Sequence, residues 1–301
     1  MIHNIMILLL SVFITSKRSY ENRYSRLDIF KYTLKSYKRI PFTEVYLYIL
    51  LDNELLHFDM ETFVKETFSH LPEDKIHYMN TRYDSQENWR PVIQTLMDKH
   101  GANESVWFTQ NDDHVFIDDS LDMLTEGLTH LENDPSRHKT LYFSHWPEII
   151  RFSGKYGTQS LVSNYIKFNI TNLDSIQIFN LQYLYDIFIT HKWKQNQNRI
   201  DFLINEITNE FECIDPLQQT IYAPLKEMCR HFDGYDHVCM DRSACPRLEL
   251  PSNTFDYSPE TLLKKMTAPH YSFWTQNNTF AIPQEWFDIN LKLHKIPSYT
   301  V

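Results

Sequence analysis

The chain has 301 residues, enough for one large domain or two small ones with a substantial buried core. Apolar residues make up 42% and charged residues 23%, and no long polar low-complexity run interrupts them, which excludes a disordered or fibrous chain. With 29 basic against 39 acidic residues the net charge is −10, a poor match to a nucleic-acid-wrapping surface, so no nucleic acid is expected as a partner.

Residues 5–14 form an apolar run. Its length also suits the core of a signal peptide, but no charged residue precedes it, no small-residue cleavage site follows, and the segments after it complete a β-α-β unit. It is therefore read as the first core strand. The run is too short to span a membrane, no transmembrane segment is expected, and the chain is read as cytoplasmic. The connection after it, residues 14–23, lacks glycine, and the five glycines of the chain (Gly101, Gly127, Gly154, Gly157 and Gly234) include no G-x-G. Both the dinucleotide fingerprint and the P-loop, which need glycines so that backbone N–H groups can approach phosphate, are excluded.

Ser25 caps a helix with Asp28 three residues on, and Leu27, Phe30, Leu34 and Tyr37 recur at helical spacing until Pro41. Residues 45–51 are apolar on both faces, as in a buried parallel strand. A helix carrying Phe63, Val64, Thr67 and Phe68 follows, then a short strand over 76–79. The next helix is capped by Ser85, shows an apolar stripe of Trp89, Val92, Ile93, Leu96 and Met97, and ends at Gly101, where a left-handed αL residue belongs. The fourth strand spans 105–110. This alternation predicts a doubly wound α/β half of about 135 residues with its ligand crevice at the carboxyl ends of the strands.

The fourth strand delivers Asp112, Asp113 and His114 to that crevice. Carboxylates suit Mg²⁺ or Mn²⁺, Mn²⁺ also accepts imidazole, and such ions bridge to substrate phosphates, a substitute for the absent glycine-rich loop. The bland alternative makes Asp112 and Asp113 turn or cap residues before a helix around Leu121 and Leu124, with His114 merely packed. Arg18, Arg23 and Arg82, near the first strand ends, and Asp52, directly after the second strand, are candidates to contact the nucleotide.

This arrangement resembles the GT-A class of nucleotide-sugar-dependent glycosyltransferases, in which an N-terminal strand, helix and strand bind the nucleotide and a D-x-D signature after a hydrophobic strand holds Mn²⁺ or Mg²⁺. Asp112-Asp113-His114 is a D-x-H variant of that signature. The resemblance implies a GT-A-like single domain, with residues 1–135 binding the nucleotide sugar and 136–301 the saccharide acceptor. It also implies a carboxylate base at a helix start on the acceptor side. Asp201, before the pattern Phe202, Leu203 and Ile207, stands there, with Asp215 and Glu148 as rivals; complementing a helix dipole is its ordinary alternative. A late histidine ligand is implied as well, for which His231 competes with His237 and His270.

The second half alternates less regularly, with strand-like runs at 141–143 and 176–179 and longer polar connections. Trp146, Trp193 and Trp274 are candidates to stack on sugar rings, although most of the 20 Phe, 18 Tyr and 6 Trp must be core. The four cysteines (Cys213, Cys229, Cys239 and Cys245) contain no C-x-x-C and read as buried thiols rather than a zinc site, with one or two disulfides as the alternative for a protein working outside the cytosol. The expected activity is metal-dependent transfer of a sugar from a nucleotide-sugar donor to a hydroxyl of a glycan, with inversion. The alternatives are a sugar-nucleotide pyrophosphorylase, disfavoured by the glycine-free loop at 14–23, and a noncatalytic carbohydrate-binding protein.

Overall fold

The fold is that of a computed structural model, which describes residues 6–16, 25–110, 112, 114–116, 120–143, 159–168, 177–190, 219–224 and 228–231. Strand β1 (Met6–Ile14) is the apolar run expected at the start of the chain. It pairs in parallel with β2 (Glu44–Leu51) on one side and β4 (Ser105–Thr109) on the other, while β3 (Ile76–Met79) extends the sheet beyond β2. The chain thus builds β1, β2 and β3 in one direction and then returns to place β4 on the opposite flank of β1. Such a reversal opens a crevice at the carboxyl ends of β1 and β4.

The connecting helices form where capping and apolar spacing coincide. Helix α1 (Arg26–Ser36) begins at Ser25, whose hydroxyl oxygen accepts from the Asp28 N–H at 3.0 Å, a cap contributing about 1 kcal/mol. Helix α2 (Met60–Thr67) is capped by Asp59 and α3 (Gln86–His100) by Ser85. Gly101 closes α3 at φ 88° and ψ 177°, so it takes the positive φ expected of it but an extended ψ instead of the αL one. Period-two alternation along β1 sends Leu8, Leu10 and Val12 to a core shared with α1 and α2, and Ile7 and Leu9 to a second core shared with α3. Helices therefore cover both faces, and the doubly wound α/β half is present as expected.

Beyond it, β5 (His114–Phe116), α4 (Leu121–Asn133), β6 (His138–Tyr142), β7 (Gln159–Val162), β8 (Tyr165–Phe168), β9 (Gln177–Asn180), α5 (Leu181–Tyr185), β10 (Gln219–Pro224) and β11 (Cys229–His231) follow. Among the described residues, nine strands form one mixed sheet in the order β3-β2-β1-β4-β9-β6-β10-β8-β7, and β5 and β11 pair separately. The nucleotide-type half and the less regular half thus share one continuous sheet. Strands β5, β7, β8, β10 and β11 are not expected from the sequence. Cys229 is buried; Cys213, Cys239 and Cys245 lie outside the described residues. No helix among the described residues is long and apolar enough to cross a membrane.

Helix α4 lies against β6 and β10, and Gly127 is its closest approach. A Cβ there would stand 2.6 Å from the Tyr165 hydroxyl and 2.7 Å from a Leu141 methyl. Both side chains are fully buried, and Tyr165 donates to the Met123 carbonyl, so neither has room to yield. Gly127→Ala gains about 1 kcal/mol of helix propensity against roughly 1–3 kcal/mol of overpacking. Urea denaturation of this variant is expected to show a net loss of about 1 kcal/mol, and a stabilised variant would mean that the two walls are soft.

Candidate functional site

The crevice at the carboxyl ends of β1, β2, β3 and β4 gathers several of the residues singled out in the sequence. Asp52, directly after β2, reaches across to the end of β1, where its carboxylate accepts from the backbone N–H of Ser16 at 3.1 Å and from its hydroxyl at 2.8 Å. These bonds, the backbone one first, hold the Asp52 carboxyl below the ordinary carboxylate range. The carboxylate thus fixes the exit of β1.

After β3, Tyr83 stacks on Tyr48 of β2 with ring centroids 3.9 Å apart, and its N–H donates to the Ser11 hydroxyl at 2.7 Å. This pins the connection that presents Arg82 on the surface. Beside it the strand ends carry exposed apolar side chains: Phe13 (42% exposed) and its register partner Leu50 (37%), with Met79 on β3. An apolar platform next to polar strand ends is suited to a flat ring.

Asp112 follows β4 and is held by a residue that the sequence reading did not single out. Arg26, the first residue of α1, grips it with both prongs of its guanidinium, Nε to Oδ2 at 2.8 Å and Nη2 to Oδ1. The two side chains are only 18% and 15% exposed, so this is a charge-assisted, two-pronged pair in a partly desolvated place. The available signal was positional: Arg26 immediately follows the helix cap Ser25, and the first turn of a helix leaving β1 faces the crevice.

His114 opens β5 and is 7% exposed. The segment is docked onto α1 and the turn after it, since the Tyr37 hydroxyl donates to the His114 carbonyl at 2.9 Å and the Phe116 N–H donates to the Ser36 hydroxyl at 2.9 Å. Its antiparallel partner is β11, with His231 directly opposite His114 in register. Two of the histidines proposed as ligands, 117 residues apart in sequence, therefore occupy one rung of a ladder. The alternative that made Asp112 a cap of the next helix does not hold: that helix does begin at Leu121, but Ser120 is its cap residue and β5 lies between it and Asp112.

Among the described residues no three His, Cys, Asp or Glu side chains are gathered as a metal would require. Asp113 and the His231 side chain, two of the four anticipated ligands, lie outside them, as do Arg18, Arg23, Asp201, Asp215, Glu148, His237, His270, Trp146, Trp193 and Trp274. A carboxylate and imidazole set is one that Mn²⁺ accepts. The donor chemistry therefore fits such an ion.

No family model matches the chain, and no curated protein matches it. Among solved structures, 4-diphosphocytidyl-2C-methyl-D-erythritol synthase from Anaerococcus prevotii DSM 20548 is similar at 13% identity, covering 73% of this chain and 88% of that one with a TM-score of 0.37. Likeness of that degree carries neither the fold nor an activity across; the fold class rests on the strand order and the two helical layers.

Proposed function

We propose that the protein is a glycosyltransferase of the GT-A type, dependent on Mn²⁺ or Mg²⁺, that moves a sugar from a nucleotide-sugar donor to a hydroxyl of a saccharide acceptor with inversion. The observation that carries this reading is the Arg26–Asp112 pair at the topological switch point, with His114 and His231 on one rung beside it. The Arg26–Asp112 pair is neutral as a whole, so the positive charge that a diphosphate needs in place of a glycine-rich loop would come from the divalent ion, with the Arg26 guanidinium orienting the carboxylate.

In this reading Phe13 and Leu50 receive the nucleoside ring, while Asp52, Arg82, Arg18 and Arg23 contact the nucleotide. Asp112, Asp113, His114 and His231 would hold the divalent ion, which as a Lewis acid lowers the cost of charge on the departing diphosphate. Asp201 takes the proton of the attacking acceptor hydroxyl, on the face opposite the leaving group.

Calorimetry with UDP, GDP and CDP, with Mn²⁺ and with chelator, tests the donor half. Wild type is expected to bind one of them in a metal-dependent way, and Asp112→Asn and His114→Ala to lose that dependence while still melting cooperatively. Unchanged affinity in both variants removes the metal site. For the catalytic half, Asp201→Asn should lower kcat by roughly 10²–10⁴-fold with little change in donor Kd. Near-normal turnover would transfer the role to Asp215 or Glu148, and a product of retained configuration would remove the need for a base.

The same arginine–carboxylate pair suits the nucleotidyl transfer of a sugar-nucleotide pyrophosphorylase. Turnover of a nucleoside triphosphate with a sugar phosphate, releasing pyrophosphate, would select that reaction. Glycan binding without nucleotide or metal would select a noncatalytic module.

A further inference from the structure

The opposite end of the sheet holds a cavity of about 540 Å³. It lies between the turn that precedes β4, the α4–β6 connection and the end of β9, and its walls include Asn103, Asp134, Arg137, Lys139, Asn180 and Gln182. Strand β4 starts beside this cavity and runs away from it toward Asp112, so the two places are separated by the length of the strand.

We propose that this cavity is a second ligand site, for a small molecule bearing a single oxyanion group, phosphate or carboxylate, with Lys139 as its anchor. Lys139 is 6% exposed, and its ammonium makes one hydrogen bond among the described residues, to the Asp134 carbonyl at 2.7 Å. The carboxylates nearby are engaged elsewhere. Asp134 accepts from Lys167 and from the Tyr222 hydroxyl, each at 2.7 Å, and from the Ser136 N–H at 2.8 Å. Asp186 is taken by Arg137 and His138.

A buried cation without a directly bonded carboxylate is costly; burial pushes the Lys139 ammonium below the ordinary lysine range, and the charges of Asp134 and Glu132 offset this only in part. An anion in the cavity supplies direct acceptors for the remaining N–H groups. Arg137 adds a second cation to the wall, since Asp186 occupies only its Nε and Nη2. Asn180 fixes the backbone of both residues, its side-chain oxygen accepting from the Lys139 main-chain N–H and its amide group donating to the Arg137 main-chain carbonyl, each at 2.9 Å. Glu132 and Asp134 border the same space, which opposes a large polyanion and favours one compact group.

Calorimetry on the full chain with inorganic phosphate and with acetate, at constant ionic strength set by chloride, tests the site and tells its two sources apart. Wild type should bind at least one of them, Lys139→Met should weaken that binding by about tenfold or more, and Asp112→Asn, at the far end of the sheet, should leave it unchanged. If Lys139→Met does not fold, Asn103→Trp at the exposed mouth decides instead, because its bulk should close the cavity. Absence of binding to either anion at about 10 mM, or wild-type affinity in the deciding variant, or loss of binding in Asp112→Asn, overturns the proposal.

Discussion

A chain lacking residues 6–14 is expected to show no cooperative thermal transition. These residues are β1, which lies between β2 and β4 and contributes to the cores on both faces of the sheet. Met6, Ile7, Leu8, Leu9 and Leu10 are fully buried, Ile14 likewise, and Val12 nearly so. At about 1.5–3 kcal/mol for each such side chain, their loss amounts to roughly 10–20 kcal/mol, as large as the whole stability of an ordinary domain. Loss of the strand also unpairs the facing edges of β2 and β4. Circular dichroism melting of the deleted chain is the check. A soluble product with a sharp transition would show that the strand is dispensable and would revive its reading as a leader peptide.

Glu44→Gln is expected to cost about 2–3 kcal/mol at neutral pH and to flatten the acid limb of the stability curve. Glu44 opens β2 with its side chain 1% exposed, and its carboxylate accepts from Lys99 at 2.7 and 2.8 Å, from Tyr46 at 2.9 Å, and lies 2.8 Å from His77 and 3.1 Å from His100. Burial pushes this carboxyl up, but the bonds from Lys99, His77 and Tyr46 outweigh it and bring the pKa to about 2 from 4.5. Because the folded-state value is the lower one, the stabilisation is complete above about 4.5 and disappears as the pH falls from there toward 2. Urea denaturation of both proteins between pH 7 and pH 3 separates the cases. Parallel curves would mean that the carboxylate charge contributes nothing.

What the sequence discloses about this molecule is chiefly what lies close together along it. The Ser25–Asp28 cap, the apolar stripe of α3 and the bounds of β3 are set by neighbours within a turn or two, and each is found where the spacing predicts. The hairpin of β7 and β8 escaped notice because its first turn position, at φ 53°, is Ser163 and not the glycine that usually marks such a turn. Strands β5 and β11 have three residues each, too few for any periodicity. The site divides the same way. Asp112 and His114 are legible because they follow an apolar strand, whereas the grip of Arg26 on Asp112 spans 86 residues and leaves no local trace.

The β5–β11 ladder has a consequence for how the protein comes into being. The four parallel strands around the switch point are complete once residue 109 has been made, but the strand that pairs with His114 ends at residue 231. At roughly 5–20 residues per second, a ribosome needs some 6–24 s to bridge that interval. During it the nucleotide-type layer can fold while the segment carrying the acidic motif waits without its partner strand. The β5–β11 ladder is thus completed late, and a nascent chain arrested before residue 229 would hold the four parallel strands while the segment carrying Asp112 and His114 still lacks its partner strand.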